Sequence, residues 1–254
     1  MTRFDLKDRV AVVTGGSRGL GKEMVLAFAA AGADVVIASR KLAACETLAE
    51  DVRRNTGRKA LAVEFHAGRW EDCDRLDAAV HEHFGRVDVL VNNAGMSPLY
   101  ASLTEISEEL YDKVQAVNLK GPFRLSSLMG YRMAASSGGS IINISSIAAV
   151  QPSPAEVPYG LAKAGLNALT IALSRALAPK VRVNAIMPGP FLTDISRAWD
   201  MDAFTEMARK QIPLQRGGRP DEVVGAALYL ASEASSYTTG AVLKIDGGTV
   251  AAPA

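Results

Sequence analysis

Tyr159 and Lys163 stand four residues apart in an Ala/Leu-rich stretch, and Ser146 precedes the tyrosine by thirteen residues. On a helix, a spacing of four puts both side chains on one face. A free tyrosine has a pKa near about 10, so roughly one phenol in a thousand is ionised at neutral pH, a handicap of roughly 4 kcal/mol for a phenolate base. An ammonium about 5 Å away offsets roughly 3 kcal/mol of that at an effective dielectric near 20. Those magnitudes nearly match. The phenol can therefore serve as general acid when a carbonyl is reduced and as base in the reverse direction. Ser146 follows an apolar run, and its hydroxyl would donate to the substrate oxygen as charge develops there. Ser145 is its rival, because alternating strand faces admit only one of the two.

A second constellation, Thr14-Gly15-Gly16-Ser17-Arg18-Gly19-Leu20-Gly21, sits between a β-branched run and a helical pattern. Glycines there let the backbone turn sharply and approach a pyrophosphate, while the helix N-terminus offers free N–H donors and partial positive charge. The spacing differs from the GxGxxG fingerprint, but its place between strand and helix suits the same task. Residues after the second strand meet the adenosine ribose in such folds, and here they read Ala38-Ser39-Arg40-Lys41. No acid stands ready for a ribose 2′-hydroxyl. A 2′-phosphate about 4 Å from Arg40 gains roughly 4 kcal/mol before screening, and Arg18 can approach it from the other side. A nucleotide that carries a 2′-phosphate is therefore expected over one with a free 2′-hydroxyl.

These groups need a scaffold. Val10–Val13, Val35–Ala38, Ala60–Glu64, Val87–Val91, Ser140–Ser145, Val181–Ile186 and Val242–Ile245 are short, branched and apolar on both faces, as buried parallel strands are. Helical patterns alternate with them at Leu20–Ala31, Leu42–Asn55, Glu71–Phe84, Glu108–Ala135, Tyr159–Ala178 and Asp221–Ser232. Alternating β and α with right-handed crossovers predicts an α/β fold, a doubly wound parallel sheet of seven strands with helices on both faces. Such sheets bind ligands beyond the carboxyl ends of their strands. Pro188 to Arg219 breaks the alternation with prolines and short helical pieces, and its 190–215 portion is the expected substrate lid.

The 254 residues are 48% hydrophobic and 22% charged, which excludes disorder and low complexity. A formal net charge of +1 offers no global field for nucleic acid or anionic membrane. The run Arg53, Arg54, Arg58, Lys59 reads as a solvated helix end. No apolar stretch is long enough to span a bilayer, and the amino-terminal residues lack a signal-peptide pattern. Cys45 and Cys73 form no CxxC and read as small buried hydrophobes in a reducing, cytoplasmic setting. His81 and His83 face different ways on a helix, so no metal site is expected. Glu156, three before Tyr159, reads as a solvated charge, with selection of a basic or hydroxylated substrate as the alternative.

Thr-Gly-x-x-x-Gly-x-Gly, then Asn92-Asn93-Ala94-Gly95, then Ser146 and Tyr159-x-x-x-Lys163, in that order, resemble the short-chain dehydrogenase/reductase family from Lys7 to Asp246-Gly247-Gly248. The resemblance implies a Rossmann-type single domain over 1–254, a nicotinamide cofactor and a homotetramer. It favours Ser146 over Ser145 and gives Asn118 the role of kinking its helix and holding a water near the lysine. It places Gly15, Ser17, Arg18, Gly19, Leu20, Ser39, Arg40, Asn93, Ala94, Gly95, Tyr159 and Lys163 around the cofactor. Pro188 and Gly189 join them, with Thr193 on the nicotinamide carboxamide. The family's adenine-holding aspartate is replaced by His66, for which an adenine contact and a plain structural role are equally open. Beyond the lid's start, Trp199, Met201, Phe204 and Met207 read equally as lid lining, core or subunit contact. The expected activity is hydride transfer between NADP(H) and a small carbonyl or secondary-alcohol substrate. A 3-oxoacyl reductase acting on carrier-bound or CoA thioesters is the alternative, with Arg132 as the candidate basic contact for an acidic carrier. A non-catalytic NADP(H)-sensing protein is the alternative of another class, although it would have no use for a tuned phenol.

Overall fold

The computed structural model describes residues 3–194, 196 and 200–250. Seven strands form one all-parallel sheet: β1 (Val10–Thr14), β2 (Asp34–Ser39), β3 (Ala60–Glu64), β4 (Val89–Asn92), β5 (Gly139–Ile144), β6 (Val181–Pro188) and β7 (Val242–Ile245). Their spatial order is β3-β2-β1-β4-β5-β6-β7. The chain winds outward from β1 to β3, then returns to the middle and winds the other way from β4. That reversal leaves a crevice at the carboxyl ends of β1 and β4, the place where such sheets take ligands.

Strand alternation divides the core in two. Ala11 and Val13 face the layer of α1 (Gly19–Ala30), α2 (Leu42–Thr56) and α8 (Val224–Ala231), packing with Met24, Phe28, Leu48 and Leu230. Val10 and Val12 face the layer of α3 (Trp70–Phe84), α5 (Gly121–Ala135) and α6 (Val157–Ala176), packing with Leu76, Leu125, Met129 and Leu173. All five residues of β1 are buried, which is why its sequence shows no polar alternation. The predicted seven-stranded doubly wound sheet is the observed one.

The pattern over Glu108–Ala135 predicts one helix, and the structure shows two. After α4 (Glu108–Gln115) a five-residue π-type turn, Ala116–Lys120, carries the chain into α5. Gly121 packs so tightly on the Ala67 carbonyl that a Cβ there would overlap it, and Pro122 begins α5 without an N–H to satisfy. Wide turns of this kind gather at functional sites. Arg53 and Arg58 are not merely solvated: Arg53 donates to the Ala60 carbonyl at 2.7 Å and Arg58 pairs with Asp34 at 2.9 Å. The segment after β6 contributes α7 (Met201–Gln211), capped by Asp200 accepting from the backbone of Asp202 and Ala203. Trp199 lies outside the described residues.

Candidate active site

Thr14, the last residue of β1, ties the two halves of the crevice together. Its hydroxyl donates to the Val91 carbonyl at 3.2 Å and accepts from the backbone N–H of Asn93 at 3.0 Å and Ala94 at 3.1 Å. Asn93 returns the contact, its side-chain amide donating to the carbonyls of Thr14 at 2.9 Å and Gly15 at 3.1 Å. Gly15 and Gly19 take φ of +63° and +53°, left-handed values that side chains disfavour. A Cβ on Gly21 would overlap the Gly15 carbonyl oxygen, so the helix can start this close to the turn only with glycine there.

No side chain caps α1, and its first turn holds no acid. Its leading N–H groups are therefore left for an external anion. Ser17 Oγ donates to Ser39 Oγ at 3.0 Å, linking the turn to the end of β2. From the other side, Thr193 approaches: a Cβ on Gly19 would lie 3.6 Å from its Cγ2. Pro188 ends β6, and Gly189 donates to the Ile245 carbonyl at 3.0 Å, which aims the chain back toward this turn. A strained glycine cradle, an uncapped helix and a wall on each side fit a dinucleotide.

Beyond Ser39 a cavity of about 380 Å³ is lined by Arg40, Glu64, Phe65, His66, Arg69, Asp72 and Arg75. His66 Nδ1 accepts the Gly68 N–H at 3.2 Å, and the His66 backbone donates to Asp72 Oδ2 at 2.9 Å. Burial, then the charges of Arg69 and Arg40, hold the imidazole below its usual pKa, so it is neutral and carries its hydrogen on Nε2. His66 thus has a structural role, and it presents a donor beside the cavity as well. Arg75 pairs with Asp72 at 2.7 Å. The guanidinium groups of Arg40 and Arg69 have no hydrogen-bond or ion-pair partner among the described residues. One acid here is invisible to a local reading of the sequence: Glu64 stands in register with Ser39 on the neighbouring strand.

The proton-handling groups converge at the carboxyl end of β5. Lys163 is 3% exposed, its ammonium donating to the Ile144 carbonyl at 2.7 Å and lying 5.5 Å from the centre of the Tyr159 ring. Burial pushes Tyr159 up to about 12, opposed by the hydrogen bond to Ser146 and reinforced by Glu156. Burial also pushes Lys163 down to about 7. The expected balance between ammonium and phenol is thus overturned by desolvation, which disfavours both charged forms. The site holds a neutral phenol, the form that can give a proton.

Asn118 is fully buried in the π-type turn, its amide donating to the carbonyls of Met96 at 2.8 Å and Val114 at 2.9 Å while its oxygen accepts the Met96 N–H at 3.2 Å. A Cβ on Gly95 would stand 3.0 Å from that oxygen and 3.7 Å from Lys163 Nζ, so Gly95, Asn118 and Lys163 meet at one point. Ser146 acts on the phenol, lowering its pKa, and its hydroxyl accepts the Ala148 N–H at 3.2 Å, whereas Ser145 is buried with its hydroxyl unpartnered.

Sequence reasoning missed two residues that hold the start of α6. Tyr100 donates to the Pro154 carbonyl at 2.6 Å and accepts the Val157 N–H at 2.9 Å, and Gln115 donates to the Pro158 carbonyl at 2.9 Å. Neither has a local signal, because both contacts depend on how distant segments pack. Leu20, the second residue of α1, is half-buried beside the glycine turn. Arg132 is tied to buried Asp77 at 2.9 Å. Among the described residues no His, Cys, Asp or Glu cluster suits a metal. No described helix is long and apolar enough to cross a membrane.

The buried lysine has a signature in stability. Between about pH 7 and the ordinary lysine value of 10.5, the unfolded chain binds a proton at Lys163 that the folded chain does not. Stability contributed by this group therefore rises with pH across that window. Urea unfolding of the wild type should show that rise, and Lys163→Met should flatten it. An equal slope in both proteins would contradict the buried neutral amine.

Glycine turn, topological switch point and Ser/Tyr/Lys grouping define a nicotinamide-type oxidoreductase of Rossmann architecture. The family model described as "Enoyl-(Acyl carrier protein) reductase" matches residues 15–250. "Dehydrogenase/reductase SDR family member 4" of Homo sapiens is 36% identical over 98% of this chain and 90% of its own. The 3-oxoacyl-(acyl-carrier-protein) reductase FabG of Thermotoga maritima is 36% identical over 96% and 99%. Among solved structures, a putative NAD(P)-dependent gluconate 5-dehydrogenase from Beutenbergia cavernae with bound NADP superposes with a TM-score of 0.92, at 34% identity over 99% of this chain and 100% of that one. The chain belongs to the short-chain dehydrogenase/reductase family of Rossmann-fold oxidoreductases.

Proposed function

We propose that this chain is an NADP(H)-dependent oxidoreductase that moves hydride between the nicotinamide and the carbonyl or secondary-alcohol carbon of a small molecule. The observation that carries this reading is the grouping of half-buried Ser146 and Tyr159 with buried Lys163, set at the carboxyl end of β5 beside a glycine turn suited to a dinucleotide. Gly15, Ser17, Arg18, Gly19 and Leu20 hold the diphosphate, and Asn93, Ala94 and Gly95 back the cofactor from β4. Ser39, Arg40 and His66 receive the adenosine end, with Arg18 and Arg40 on the 2′-phosphate. Pro188, Gly189 and Thr193 flank the nicotinamide, which when bound supplies or accepts the hydride.

Within that site Tyr159 gives the proton to the reduced oxygen, Ser146 donates to the same oxygen, and Lys163 with Asn118 returns a proton to the phenol. The 190–215 segment, including α7, covers the substrate. The whole chain, 1–254, works as one cofactor-binding and catalytic domain, as a homotetramer in the cytoplasm. Arg132 is engaged by Asp77, so the carrier-bound thioester reading loses its candidate docking cation. NADPH oxidation, with NADH in parallel, against ketones, aldehydes, diketones and 3-oxoacyl thioesters tests the proposal. Turnover of a free carbonyl with NADPH is expected. Tight NADPH binding without turnover of any compound would favour a sensor instead.

A further inference from the structure

Glu156 is the one charged side chain at the entrance of α6, and its surroundings differ from those of several shielded acids that are paired. Asp72, Asp77, Asp88 and Glu222 each meet an arginine. Glu156 is half-buried, and its carboxylate has no ion-pair or hydrogen-bond partner among the described residues. It is the N-cap residue of α6, with Tyr159 the third residue of the helix. N-cap and third-position side chains are neighbours in space, as the capping box demonstrates. Glu156 makes no capping bond here, so its carboxylate is not spent on the helix.

The backbone that carries it is held in place. Tyr100 clasps the residues on either side of it, donating to the Pro154 carbonyl at 2.6 Å and accepting the Val157 N–H at 2.9 Å. Gln115 fixes the next residue through the Pro158 carbonyl at 2.9 Å. The charge acts on the Tyr159 phenol, whose proton it helps to retain. The cation on the same helix face, Lys163, is buried beneath the phenol and donates to Ile144.

We propose that Glu156 selects substrates by charge, favouring ketones and alcohols with a cationic group near the reacting carbon and rejecting carboxylates. The inference rests on the oxidoreductase reading above, since it concerns the substrate of that site. A carboxylate about 6 Å from a substrate charge, at an effective dielectric near 40, favours a cation over a neutral isostere by about tenfold and disfavours an anion by a similar factor.

The test uses three ketones on one ring: the quaternary dimethyl-oxopiperidinium cation, the isosteric neutral dimethylcyclohexanone, and oxocyclohexane carboxylate. With NADPH, kcat/KM for cation over carboxylate should be about 100-fold in the wild type and within about threefold in Glu156→Gln. Reduction of the neutral ketone with a ratio that the substitution leaves unchanged would overturn the proposal while the oxidoreductase reading stood. If the wild type reduces none of the three, calorimetric binding of the same cation and carboxylate to the NADPH-loaded protein decides. Tighter cation binding that Glu156→Gln abolishes would support charge selection, and equal binding in the two proteins would overturn it.

Discussion

Tyr159→Phe should lower kcat for ketone reduction by about a thousandfold, within the range by which positioned general acids accelerate reactions. The substitution keeps the ring that packs over Lys163 and removes only the hydroxyl that meets Ser146. The glycine turn and the Thr14 hub lie on other elements, so NADPH affinity should change by less than about twofold. Steady-state kinetics with nucleotide binding measured separately checks both halves. A variant that turned over at the wild-type rate would show that the proton comes from elsewhere.

Arg40→Asp should reverse the choice of nucleotide, raising KM for NADPH and lowering it for NADH. Removing the attraction and adding a repulsion sums to roughly 8 kcal/mol before screening, at about 4 Å and an effective dielectric near 20. Arg40 is exposed, so about half or less should survive, and the NADPH-to-NADH ratio of kcat/KM should shift by about a thousandfold. Glu64 gives the effect its direction, because a carboxylate already stands in register with Ser39 and a second would complete a site hostile to phosphate. Kinetics with both nucleotides measures the shift. An unchanged ratio would remove Arg40 from the ribose site.

Much of this architecture was legible because it rests on local patterns. The strands are buried on both faces and read as unbroken apolar runs, and Gly15, Gly19 and Gly21 announce a turn that no other residue could make. The Tyr159–Lys163 spacing survives any uncertainty of a residue or two in where α6 begins. What stayed hidden depends on tertiary packing. The π-type turn at Ala116–Lys120 leaves the apolar periodicity of a helix almost unaltered, so Glu108–Ala135 reads as one piece. Glu64 enters the cavity beyond Ser39 through the register of β3 on β2, and Tyr100 and Gln115 reach α6 from other segments. The balance of charge at the catalytic pair was also hidden. Spacing gives the Coulomb attraction, whereas burial, which outweighs it, belongs to the folded molecule.

The central claim is that this site passes hydride from NADPH to a carbonyl carbon while Tyr159 supplies the proton. NADPH deuterated at the transferable position, incubated with the protein and a ketone it reduces, tests this directly by mass spectrometry of the alcohol. The account predicts one deuterium on the carbinol carbon with the wild type and almost none with Tyr159→Phe. Firm NADPH binding with no deuterium delivered to any ketone of the panel would contradict it.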